Sequence, residues 1–115
     1  MWPQTVERID NVCWFFPELR FVMRHGALPD VGLAIALMLK YEHLYYSTSA
    51  MAPRHYPREI LDFANTRGAK KLIFAGYWPM GLGLDRITSE LAELPLREHV
   101  IKPFLHDNAV EVFRL

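Results

Sequence analysis

Three short apolar runs, Leu19-Arg20-Phe21-Val22-Met23, Leu44-Tyr45-Tyr46-Ser47 and Leu72-Ile73-Phe74, are separated by stretches with helical spacing. That alternation admits few folds. In residues 5–16 the apolar side chains fall at Val6, Ile9, Val12, Cys13 and Phe16, three or four apart and so on one face of a helix. Pro17 ends it. Pro29 and Asp30 open a second helix with Asp30 as its N-cap, and residues 31–39 are apolar nearly all round, as expected of a helix packed closely on a sheet. A third helix starts at Tyr56-Pro57-Arg58-Glu59, where a proline in the first turn sacrifices no hydrogen bond, and Gly68 stops it.

After the third run comes a glycine-rich turn at 75–83, then two short helical patterns at 84–91 and 96–105, then a closing helical turn or two at 108–113. Short strands alternating with helices of this length define right-handed βαβ units and a parallel sheet. A closed eight-stranded barrel takes about 250 residues and doubly wound sheets usually carry about five or six strands. With 115 residues and three strands, the chain supplies under half of a barrel, or else a small open sheet whose edges must pair with something.

Composition narrows the functional classes. Residues are 51% hydrophobic and 23% charged, enough for the core of one domain over 1–115. Lys and Arg total 13 against 13 for Asp and Glu, so no net charge favours nucleic acid or an anionic membrane as a partner. Cys13 is the single cysteine, which excludes an intrachain disulfide, a cysteine zinc cluster and a CxxC redox pair, and fits a reducing, cytoplasmic compartment. The start of the sequence lacks the basic and apolar regions of a signal peptide. The apolar stretch at 31–39 is far short of the roughly 20 residues of a membrane helix.

In parallel α/β folds the chemistry sits beyond the carboxyl ends of the strands. Those positions hold Arg24-His25-Gly26, Thr48-Ser49-Ala50 and Gly76-Tyr77-Trp78-Pro79. A histidine at a strand end can act as general acid or base, or bind a metal through a neutral ring nitrogen. The other reading of His25 is a structural histidine bonded to backbone, and Gly26 tilts the balance because it permits a tight turn or close approach to a ligand. His43 precedes a strand and belongs to the opposite rim, His55 reaches the site only if its loop folds inward, and His99 and His106 lie in late helices. Ser47, Thr48 and Ser49 can hydrogen-bond a substrate, with a solvated loop as the plainer role. No HExxH, HxH or paired-carboxylate motif occurs, and Gly81-Leu82-Gly83 lacks the spacing of a dinucleotide fingerprint.

With the strand ends placed, the chain resembles the C-terminal part of the amidohydrolase-related family, metal-dependent (β/α)₈-barrel hydrolases and decarboxylases. The segment Phe16-Pro17-Glu18-Leu19-Arg20-Phe21-Val22-Met23-Arg24-His25-Gly26 is similar to the family's FPxLxxVxxHGG strand, and Leu44-Tyr45-Tyr46-Ser47-Thr48-Ser49-Ala50 to its vYxdtSa strand. Asn65-Thr66-Arg67-Gly68-Ala69-Lys70-Lys71-Leu72-Ile73-Phe74 followed by Pro79-Met80 resembles the GxdkvlFGSDYPm strand and turn, and Asn108-Ala109-Val110-Glu111-Val112-Phe113-Arg114-Leu115 resembles the closing NAxrlFxL. The four segments stand in family order across nearly the whole sequence.

The resemblance implies a partial (β/α)₈ TIM barrel, strands six to eight with their helices. It implies a small-molecule substrate, a small carboxylate or an ester or amide, and a divalent metal such as zinc. His25 matches the family histidine that polarises or protonates substrate beside that metal, and Ser47, Ser49, Tyr77 and Trp78 are the candidate substrate contacts. The family's metal ligands are an N-terminal HxH, a fifth-strand histidine and an aspartate after the eighth strand. The first three have no counterpart in this sequence, and Tyr77 stands at the aspartate position, where a phenol is a poor metal ligand. Asp85 is the nearest alternative carboxylate, and its place at a helix start marks it as an N-cap. The expectation is a C-terminal portion of such an enzyme, from a truncated or partial gene, that binds no metal and has no activity alone. The alternative is a non-catalytic module that self-associates through its sheet edges or complements another barrel half.

Overall fold

The computed structural model describes residues 5–115. Helix α1 (Glu7–Phe15) leads into strand β1 (Phe21–Met23), helix α2 (Val31–Lys40), strand β2 (Leu44–Ser47), helix α3 (Arg58–Thr66) and strand β3 (Leu72–Ile73). Helix α4 (Leu84–Ala92), helix α5 (Glu98–Lys102), a π-helical turn (Pro103–Asp107) and helix α6 (Asn108–Phe113) complete the chain. The strands form one parallel sheet in the order β1-β2-β3, with Phe21 opposite Leu44 and Tyr46 opposite Leu72. The alternation of strand and helix therefore yields the expected α/β architecture.

Several boundaries differ from the sequence reading, each for a local reason. Leu19 and Arg20 lie before β1 in a bend, with Leu19 47% exposed, because the Arg20 guanidinium is drawn to the backbone carbonyls of Glu111 and Val112 at the end of α6. A cation there complements the carbonyl-rich end of a helix. The continuous helix expected over 96–105 shortens to α5, and the chain widens into the π turn from Pro103, which has no amide proton to continue the α-helical ladder. Gly83 occupies the cap position of α4, so Asp85 is an exposed residue of its first turn and not the N-cap. Asp30 does stand at the cap position of α2, without a side-chain cap bond. Helix α2 buries Val31, Ala34, Leu37 and Met38 and leaves Leu33 and Leu39 exposed, so it covers the sheet with one face only.

The core lies between the sheet and its helices, around Met23, Met38, Leu44, Tyr46, Ile60, Leu72 and Phe104. Phe104 stacks edge-on against both Tyr56 and Phe74, at ring-centre distances of 6.3 and 5.8 Å, which ties the π turn to the end of β3. Gly68 follows α3 so closely that an added Cβ would sit 2.4 Å from the Phe63 ring. Its role in ending the helix is this tight approach, completed by the hydrogen bond its amide donates to the Phe63 carbonyl at 2.7 Å. At the amino ends of the strands, Lys71 Nζ donates to the carbonyls of Tyr41, Glu42 and Leu44, holding the exit of α2 against β3. Burial lowers its pKa from the usual lysine value.

The two sheet edges are unequal. The amides of Tyr46 and Thr48 donate to Lys71 and Ile73, so those carbonyls face β2, and by strand alternation Leu72 and Phe74 face outward. Two of the outward groups are satisfied by the chain itself: Asn108 Nδ2 donates to the Leu72 carbonyl at 2.7 Å, and the Phe74 amide donates to the Phe104 carbonyl at 3.0 Å, while the Leu72 amide also faces outward and has no hydrogen-bond partner among the described residues. On β1, the Phe21 amide donates to His43, so Val22 presents its amide and carbonyl outward, and among the described residues no hydrogen bond reaches them. Asn108, 5% exposed, also donates to Ala69 at 2.9 Å. Replacing it, Asn108→Ala, strands a buried carbonyl and is expected to cost about 2 kcal/mol. Urea unfolding checks this as a lowered midpoint at unchanged slope; an unmoved midpoint contradicts it.

Candidate functional site

The carboxyl ends of the three strands converge on the segment that follows β2. Tyr46, at 0% exposure, donates its hydroxyl to the Gly26 carbonyl at 2.8 Å, binding the end of β2 to the turn after β1. Ser49 Oγ accepts the backbone amide of His25 at 3.1 Å and lies 3.5 Å from His25 Nδ1. Thr48 Oγ1 accepts the amide of Ala75 at 3.3 Å, which reaches the end of β3. Ser47 Oγ accepts the amide of Ser49 at 3.4 Å and so fixes the bend that aims Ser49 at His25. Ser47, Thr48 and Ser49 are all buried, so the solvated-loop reading of this tract gives way to one in which each hydroxyl satisfies a neighbouring amide.

The turn these contacts hold is strained. His25, Gly26 and Ala27 form a single 3₁₀ turn with positive φ values of 55, 69 and 52°. The left-handed region costs an L-residue with a side chain about 1–2 kcal/mol, so His25 and Ala27 adopt it only because their surroundings over-determine it. Gly26 is required twice over, by its φ and because an added Cβ would lie 2.4 Å from Met51 Cε and 3.0 Å from the Tyr46 hydroxyl. Strain of this kind gathers at functional sites more than elsewhere. The result is a histidine whose backbone is fixed from below while its residue is exposed.

The other candidates sit apart from this pair. Tyr77 and Trp78, 37% and 62% exposed, lie in the turn after β3, and no hydrogen bond among the described residues joins either to His25 or Ser49. His43 lies at the amino end of β2 with its carbonyl bonded to Phe21, on the opposite rim as expected. His55 is exposed in the 3₁₀ turn Pro53–His55 and accepts from Arg54 Nε, so its loop does not fold inward. His99 and His106 are exposed on the late helical segment. A cavity of about 430 Å³ opens between α1 and β1, lined by Arg8, Ile9, Val22, Arg24 and His25.

One residue of the network escaped the sequence reading. Tyr46 reads there as a strand residue, and only its pairing with a turn 20 positions earlier reveals its hydroxyl as a clamp. Burial drives its pKa far above the ordinary tyrosine value. Tyr56 is raised by burial too, and its hydroxyl has no hydrogen-bond partner among the described residues; the Thr48 hydroxyl opposes that rise without reaching hydrogen-bond geometry. Metal binding finds no fit. Among the described residues no three His, Cys, Asp or Glu side chains gather as a metal site, and His25 has no carboxylate partner there, so these residues do not fit the divalent metal that the resemblance implies.

The parallel strands, flanking helices and strand-end residues define part of a TIM barrel. The chain aligns with the crystal structure of an uncharacterized TIM-barrel protein from Bordetella bronchiseptica at a TM-score of 0.84 and 29% identity, covering 94% of this chain and 38% of that one. It thus spans well under half the length of that protein. The amidohydrolase family model matches residues 5–115, and the chain belongs to that family. A search of curated proteins finds no match to the sequence. No helix among the described residues is long and apolar enough to cross a membrane.

The Tyr46 clamp sets a pH dependence. An unfolded chain ionises its tyrosines near pH 10, whereas the folded chain holds the Tyr46 proton to higher pH. The stability linked to this group is therefore complete below about pH 10 and is lost as pH rises beyond it. Tyr46→Phe is expected to lower stability at pH 8 by about 1–2 kcal/mol, since the Gly26 carbonyl loses its donor, and to make the decline above pH 10 shallower than in the parent chain. Chemical denaturation at pH 8 and pH 11 checks both signs; an equally steep decline in the variant contradicts the assignment.

Proposed function

We propose that this chain supplies the rim formed by strands six to eight of an amidohydrolase barrel, with His25 as its proton-handling group toward a small carboxylate, ester or amide substrate. The observation that carries the reading is the exposed His25 on a positive-φ turn, anchored by the buried Tyr46 and Ser49 at the carboxyl end of a parallel sheet. A sheet end of this kind is where barrel enzymes do chemistry, and imidazole is suited to exchange a proton near neutral pH. Metal-ligand chemistry and turnover then require residues other than those gathered here. Accordingly, the purified 115-residue chain, supplied with zinc or manganese, is expected to retain neither ion stoichiometrically and to turn over no carboxylate, ester or amide test substrate. Stoichiometric metal together with turnover overturns the reading.

The outward amide and carbonyl of Val22 favour a second reading, in which the chain also associates through one sheet edge. The edge at β3 is covered in part by Asn108 and Phe104, so β1 is the more open edge. Sedimentation analysis across a concentration series is expected to show self-association that Val22→Pro abolishes. That substitution removes an outward amide and no bond to β2. A monomer at every concentration contradicts this reading.

A further inference from the structure

We infer that Ser49 is a positioning residue that holds His25 in one tautomer, with the proton on Nε2, so that the ring presents a hydrogen-bond donor to a substrate oxygen. The inference rests on the proposed role of His25 and moves Ser49 from the substrate contacts, where the sequence pattern put it, to the support beneath the acting group. A serine hydroxyl has one proton to give and lone pairs to receive with. Ser49 Oγ already receives the backbone amide of His25 at 3.1 Å, and that donor has no alternative role. The remaining neighbour is Nδ1 of the same histidine at 3.5 Å.

Two arrangements satisfy those distances. If Nδ1 carried the ring proton, Ser49 Oγ would receive twice and its own proton would have no acceptor among the described residues, on a side chain of a residue only 8% exposed. A buried donor left unmade is costly. If Ser49 donates to Nδ1, every group is used once. Nδ1 is then an acceptor, the ring proton resides on Nε2, and no described residue bonds to that nitrogen. The bond made by one imidazole nitrogen decides the protonation of the other.

Ser49 can enforce this because it is itself fixed. Its amide is held by Ser47 Oγ, the following Ala50 has φ +68°, and the His25 turn is anchored independently by Tyr46. The ligand chemistry follows from the donor: an oxygen with free lone pairs, a carboxylate or carbonyl, hydrogen-bonded by Nε2–H as negative charge gathers on it. The same bond withdraws Nδ1 from metal ligation.

Long-range proton–nitrogen NMR of the chain labelled with ¹⁵N-histidine, at about pH 8.5 and therefore above the ordinary imidazole titration, reads the tautomer directly. The His25 signals are those lost in His25→Gln. The parent chain is expected to show the Nε2–H tautomer alone, Ser49→Ala a mixture in which the Nδ1–H form rises several-fold, and Ser49→Thr, which keeps the hydroxyl, the parent pattern. An Nδ1–H population in the parent chain, or an unchanged single tautomer in a folded Ser49→Ala, overturns the inference. Should Ser49→Ala fail to fold, the parent spectrum and Ser49→Thr still decide. No metal, substrate or turnover enters the readout, so its failure is separable from that of the enzymatic reading.

Discussion

Parallel strands of two to four residues do not position a rim by ladder bonds alone, and here the hydroxyls at the end of β2 do much of that work. Tyr46 holds the turn after β1, Ser49 holds the same turn at His25, and Thr48 holds the first residues after β3. Each bond joins a side chain of the central strand region to a backbone group of a flanking one. Because these hydroxyls are buried, losing any of them exposes no replacement solvent partner for the amide or carbonyl it serves. The positive φ values of His25 and Ala27 are sustained by the same contacts. Remove the clamp, and the turn has every reason to relax to ordinary backbone.

Much of this was open to sequence reasoning, and the reasons it stopped are physical. The three strands and the helices between them follow from apolar spacing, a property of neighbouring residues. His25 and Gly26 drew notice because a strand end followed by glycine is a local pattern, and the positive φ of Gly26 bears out the tight turn. The inward aim of Ser47, Thr48 and Ser49 was not open in the same way. A Ser-Thr-Ser tract reads as solvated until the residues 24 and 27 positions away that it serves are brought beside it. Asn108 likewise looks like a helix residue, and its partners at Ala69 and Leu72 lie 39 and 36 positions back. Boundaries failed where a long-range partner intervened, as at Arg20, or where Pro103 changed the helix type.

The unequal edges refine what a partial barrel can be. A three-stranded parallel sheet presents two rows of unpaired backbone groups, yet β3 is partly closed by the chain's own C-terminal segment through Asn108 and Phe104. Among the described residues the Val22 side is the more open row, beside the cavity that reaches His25. The more open edge thus lies at the strand that leads to the candidate proton donor. Family membership supplies the barrel context, while the residues gathered here supply a shaped, hydroxyl-braced rim without a metal-binding cluster.

The brace itself is most directly tested by native-state hydrogen exchange at the amides of His25 and Ala75. Both belong to strand-end turns, and both donate to hydroxyls of the tract after β2, Ser49 Oγ and Thr48 Oγ1. If that tract holds the rim together, the two amides are protected well beyond free loop amides and lose protection in the same opening event. Exchange of both at the rate of unstructured loop amides, while β2 stays protected, would contradict it.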